Sequence, residues 1–138
     1  MFIPQDQTVF AGGESGEPGN CWAASIASIV GFPIHIVPNF VAKPLWLLET
    51  QRWLNSYGWG LVKIPWPKCP FGGQFPPSVV VLSGWGPRGV GHSVVGRVEL
   101  DKEGIASLRI IHDPHPSRAG LDLARGELYV SFLFQIGK

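Results

Sequence analysis

Two β-prone runs, His92–Glu99 (HSVVGRVE) and Ile105–His112 (IASLRIIH), flank the turn-forming stretch Leu100-Asp101-Lys102-Glu103-Gly104. No other feature constrains the fold so tightly, because a hairpin loop decides which residues face one another. With the turn centred between Lys102 and Glu103, opposed residues have numbers that sum to 205. His92 and Asp113 meet that condition, which sets an imidazole and a carboxylate on one face with Cβ atoms ~5 Å apart. A bulge at Gly104 would shift this register by one residue.

The rest of the chain divides into helical and extended halves. Cys21–Val30 reads as a helix that is apolar on most sides, hence central and buried. Gly31-Phe32-Pro33 ends it. Pro38-Asn39-Phe40 reads as a turn. A second helix is expected over Pro44–Tyr57, with Pro44 in its first turn, a stripe of Leu45, Leu48, Trp53 and Leu54, and Gly58 as its stop. Trp46 and Trp53 on this helix suggest exposed apolar surface. Strands are expected at Leu61–Ile64, Ser78–Leu82 and Leu128–Phe134 besides the hairpin, and a short β-like beginning within Met1–Phe10. Helices followed by strands predict a single α+β domain.

The totals narrow the function. A chain of 138 residues with 45% hydrophobic and 15% charged residues folds around one core. The net charge of +1 exerts no global pull on nucleic acid or an anionic membrane, and neither is expected as a partner. No apolar run approaches the ~20 residues of a membrane span, and no signal peptide is visible, so a soluble, cytoplasmic protein is expected. Two cysteines make no disulfide framework: Cys21 opens a helix and Cys69 lies in a turn-like Pro67-Lys68-Cys69-Pro70, with one bridge between them left open.

Cys21 is the natural partner for the His92–Asp113 pair. A free thiol titrates near ~8.5, and an imidazolium or a helix N-terminus stabilises its thiolate. Asp113 would fix the ring's tautomer, as the third member of a nucleophile–base–acid triad. Backbone N–H groups at the helix start, together with a side-chain amide from Gln5 or Gln7, would bind the oxyanion. Trp22, Trp85, Arg88 and His115 are the candidates to line the cleft, Arg88 as a site for a substrate carboxylate. Cys21, His92, His112, Asp113 and His115 also offer metal-ligand chemistry, but zinc-type spacing is absent and adjacent His112 and Asp113 point to opposite faces. The glycine-rich AGGESG is no phosphate loop, since no GK[ST] follows it. Neither a metal nor a cofactor is expected.

Gly19-Asn20-Cys21-Trp22-Ala23-Ala24-Ser25 resembles the nucleophile segment of papain-like cysteine peptidases, in which a Cys-Trp pair opens the central helix. GHSVVGRV and IIHDPHPS resemble the His strand and Asp-Pro segment of the small peptidase C39-like branch, and the combined motifs are similar to small proteins of bacteriophage and bacterial genomes. The resemblance implies a papain-like fold, with the Cys21 helix packed on an antiparallel sheet carrying His92 and Asp113. It also implies Gln7 as the oxyanion residue and, for a phage protein, action in the host cytoplasm. The glycine-rich loop between Gln7 and Cys21, and the 71-residue separation of Cys21 from His92, depart from the larger enzymes of that fold.

The leading expectation is therefore a hydrolase (peptidase, isopeptidase or amidase) that forms an acyl-enzyme on a peptide, protein or amide substrate. An acyltransferase or transglutaminase-like enzyme with the same triad is one alternative. A scaffold that sequesters a partner without turnover is another.

Overall fold

The computed structural model describes residues 2–11, 18–66 and 76–136. Cys69 and its turn, and most of the glycine-rich loop, lie outside the described residues. The architecture is α+β. Helix α1 (Cys21–Val30) is followed by two single-turn 3₁₀ helices (Ile34–Ile36 and Phe40–Ala42) and helix α2 (Trp46–Ser56). Five strands follow: β1 (Trp59–Pro65), β2 (Ser78–Trp85), β3 (Gly91–Leu100), β4 (Ala106–His112) and β5 (Tyr129–Gln135). They form one antiparallel sheet in the order β1-β5-β2-β3-β4.

Helix α1 is the hub. Every residue from Trp22 to Val30 is buried. Its apolar side chains meet Leu61, Val81 and Val95 of the sheet in one cluster. The opposite face of the sheet is also covered, with Val80, Leu82, Val94, Val98 and Val130 in a second cluster. Burial on both faces explains why several strands are nearly continuous in β-branched residues. Gly31 ends α1 in the left-handed region at φ 79°, and its N–H donates to Ala27 O at 2.9 Å.

Helix α2 departs from the sequence expectation. Leu45 is left-handed at φ 54° and precedes the helix, so Pro44 is not in its first turn. The proposed stripe is only partly inward: Leu45 and Leu48 are exposed, while Thr50 and Leu54 are buried. Trp46 and Trp53 pack against the core and are not the exposed surface expected of them. Trp22 ties the two helices together by donating Nε1–H to Thr50 Oγ1 at 3.1 Å. Gln51 of α2 reaches the outer edge of β1, where its amide donates to Leu61 O and accepts from Leu61 N.

The β3–β4 hairpin closes one residue away from the expected register. Asp101 N donates to Ile105 O and Gly104 N to Asp101 O, both at 3.0 Å, with Gly104 at φ 81°. Pairs from Leu100↔Ala106 to Gly96↔Ile110 sum to 206, the shift that a bulge at Gly104 produces. A second irregularity follows, and Val95 pairs with His112. Gly96 marks the step, because a Cβ there would lie 2.4 Å from Leu82 Cδ1. His92 and Asp113 are thus not cross-strand partners, and Asp113 lies just past the end of β4.

The N-terminal segment forms no strand among the described residues. It runs along α1 and the turn after β4 instead. Ile3 N donates to Ser28 O at 2.7 Å, Gln5 N to Ser28 Oγ at 2.8 Å and Gln7 N to Pro114 O at 3.1 Å. No single described helix is long and apolar enough to cross a membrane.

Candidate active site

A cavity of about 820 Å³ opens where α1, β1, β2 and β3 meet the N-terminal segment. Cys21, His92 and Gln7 all line it, as do Trp22, Arg88 and His115. Residues spread over more than a hundred positions therefore share one space. Asp113 lies behind His92, away from the lining.

Two buried side chains form the firmest contact of the site. His92 Nε2 and Asp113 Oδ1 are 2.7 Å apart, with the residues 5% and 4% exposed. Asp113 is held on every side: Oδ1 also accepts from His115 N at 3.0 Å, and Oδ2 accepts from Gly120 N at 2.7 Å. Burial alone would raise its pKa. The N–H groups of His115 and Gly120 and the bond to His92 override that, and hold the carboxyl below its usual range. The imidazole nitrogen left for chemistry is Nδ1.

Cys21 is a free, partly buried thiol at the first position of α1. Its Sγ accepts from Ser93 N at 3.3 Å. Burial pushes the thiol above the usual cysteine value. The N–H groups of Ser93, Trp22 and Cys21 pull it back in part, and the negative charge of Asp113 pushes it further up. No hydrogen bond joins Sγ to His92 among the described residues. In unliganded sites such bonds are often long and tighten only with substrate.

Asn20 precedes α1 but gives its end no side-chain cap. Its side chain turns to the N-terminal segment instead, where Oδ1 accepts from Thr8 N at 2.8 Å and Val9 N at 2.9 Å. Gln7 sits beside this knot, 7% exposed, and Nε2 donates one of its two hydrogens to Val9 O at 3.0 Å. Among the described residues its Oε1 is buried without a partner. Gln5 is committed elsewhere: its Oε1 accepts from Ile34 N at 3.1 Å, and it does not line the cavity.

The remaining candidates take different places. Trp22 borders the cavity but is 2% exposed and anchored in the core. Trp85 lines it too, with the Arg125 guanidinium 4.3 Å from its ring centroid. Arg88 donates to Ser117 Oγ at 3.2 Å. His115 Nδ1 lies 2.9 Å from the same hydroxyl, and burial and then Arg88 draw its pKa down. His112 lies outside the lining and contacts Gln5 O at 3.0 Å and Asp6 Oδ1 at 3.2 Å. No group of three or more His, Cys, Asp or Glu side chains among the described residues is arranged to hold a metal.

Sequence reading missed two supports. Ser93, whose N–H meets Sγ, follows His92 directly, and its position beside the expected base was the available signal. Arg118 grips Asp6 through Nη1 at 2.6 Å and Nη2 at 3.0 Å, and also donates to Asp113 O. It thereby joins the Gln7 segment to the Asp113 turn. Its partner is 112 positions away, and no local pattern announces the pairing. No protein-family model matches the chain, and no curated protein or solved structure shows a significant match.

Proposed function

We propose that this protein is a small papain-like cysteine hydrolase that acts on amide or peptide bonds through Cys21, His92 and Asp113. The observation that carries the reading is a single cavity lined by a thiol at an uncapped helix start, a side-chain amide, and an imidazole seated on a buried carboxylate. Burial raises the thiol's pKa, and His92 takes its proton as a base during the attack. Sγ attacks the carbonyl carbon as its proton passes to His92 Nδ1. The oxyanion is met by the second N–H of Gln7 Nε2 and the N–H of Cys21. Collapse breaks the C–N bond, and the amine leaves with the proton from His92. Water then attacks the thioester with His92 again as base, and the proton returns to Sγ as the acid departs. An amine in place of that water gives acyl transfer with the same residues.

Alkylation of Cys21 by iodoacetamide as a function of pH tests the base. In the wild type, reaction persists below the ~8.5 of an ordinary thiol. In His92→Ala it slows about tenfold or more, and its profile moves above that of an ordinary thiol, because no base takes the proton while burial and the charge of Asp113 still hold the thiol up. The missing Cys21–His92 hydrogen bond favours a second reading, a scaffold that binds a partner without turnover. That reading gains, and the hydrolase reading falls, if the Cys21 profile is identical with and without His92.

A further inference from the structure

One charged group in the cavity has no role in this chemistry. Lys63 of β1 lines the cavity, and its Nζ lies 4.7 Å from the ring centroid of Trp46, 5.0 Å from Tyr129 and 5.5 Å from Trp22. The rings come from α2, β5 and α1, so four elements converge on one ammonium. Aromatic faces attract a cation and fix its position, but they offer it no anionic acceptor. Among the described residues no carboxylate is within ion-pair distance of Lys63. Glu127 shares the cavity but accepts from Tyr129 Oη at 2.5 Å. Burial alone acts on the Lys63 pKa and lowers it, as expected where no opposite charge is near.

We propose that Lys63 is the anion-binding residue of this cavity and selects acyl donors that carry a carboxylate beside the carbonyl attacked by Cys21. The inference rests on the hydrolase reading for the attack, and on the aromatic cage for the selection. Trp22 links the two, since it follows Cys21 in the chain and lies under the Lys63 ammonium. Cys21 and Lys63 line one cavity, so the carboxylate is placed on a residue next to the scissile bond. An acidic side chain supplies the missing charge partner, and the cage holds Nζ ready for it with little ordering left to do on binding. Arg88, the sequence candidate for this task, already donates to Ser117.

Peptidyl acyloxymethyl ketones that differ only in Glu or Gln at the two positions next to the reactive group test the selection. At one position the Glu probe labels Cys21 at least ~10-fold faster than the Gln probe, equivalent to about 1.4 kcal/mol. Lys63→Gln removes that ratio while leaving the Gln probe and iodoacetamide within about twofold of wild type. A wild-type ratio near one, or a ratio that survives Lys63→Gln, overturns the proposal. If no peptidyl probe outpaces iodoacetamide, the hydrolase reading fails by itself. Lys63 is then judged in Cys21→Ala protein, by titrating the acetylated peptide amides and following tryptophan emission from Trp22 and Trp46. A response to the Glu peptide that is weak with the Gln peptide, and lost in Lys63→Gln, sustains the anion site. Equal responses end it.

Discussion

Asn20 Oδ1 accepts the backbone N–H groups of both Thr8 and Val9, so the residue that precedes helix α1 fastens the N-terminal segment rather than capping its own helix. The same side chain donates from Nδ2 to Thr8 Oγ1 at 3.0 Å, and Asn20 N donates to Val9 O at 3.0 Å. Asn20→Ala strands two donors and is expected to destabilise the fold by about 2 kcal/mol. Asn20→Asp keeps the acceptor, loses only the Nδ2 bond and is expected to be milder. Urea denaturation of the three proteins gives the order.

In the proposed mechanism Gln7 supplies an N–H to an oxyanion, and an oxyanion forms only on acyl chemistry. Gln7→Ala is therefore expected to slow acylation of Cys21 by p-nitrophenyl acetate by ~10²-fold, while iodoacetamide alkylation stays near the wild-type rate. Equal slowing of both reactions would mean that Gln7 supports the thiol itself.

The Asp113 carboxyl is held below its usual range in the fold, so its stabilisation depends on pH with a definite sign. The contribution is complete above the ~3.9 of an unfolded aspartate and is lost as pH falls through the lower folded value. Asp113→Asn sets an amide donor against the buried N–H groups that the carboxylate accepts and is expected to cost about 2 kcal/mol near neutrality. That difference should narrow as pH drops below 4. Thermal unfolding of both proteins between pH 3 and 7 measures it, and a pH-independent gap would mean that the lost bonds do not involve the ionised carboxylate.

Gly96→Ala would drive a methyl group to 2.4 Å from Leu82 Cδ1 and 3.1 Å from Arg109 O. Overpacking of this kind costs about 1–3 kcal/mol. Pairing it with Leu82→Ala makes space for the methyl group, so the double variant should be more stable than the sum of the two single losses. Calorimetric melting of the four proteins closes the cycle.

Much of this arrangement was legible in the sequence because it is local. The five extended runs, the Cys21 helix and its Gly31 stop all follow from periodicity and breakers over a few residues. The His92–Asp113 contact follows from the hairpin only in part. Gly104 shifted the ladder by one residue and the step at Gly96 shifted it again, so a contact forecast as directly cross-strand is made from the turn beyond β4. Leu45 displaced the start of α2 because a left-handed leucine leaves no signature in a helical stripe. Lys63 was invisible for a different reason. Its three rings are far apart in the chain and meet only after the helices have packed on the sheet.

Gln51 has a consequence beyond packing. β1 is an outer strand, and an outer strand offers its backbone to any passing chain. The Gln51 amide occupies Leu61 as donor and acceptor at once, in the manner of a neighbouring peptide group. A strand arriving from another molecule must first dislodge a side chain rooted in α2. The helix thus serves as a stopper, and at that position the sheet is closed to polymerisation.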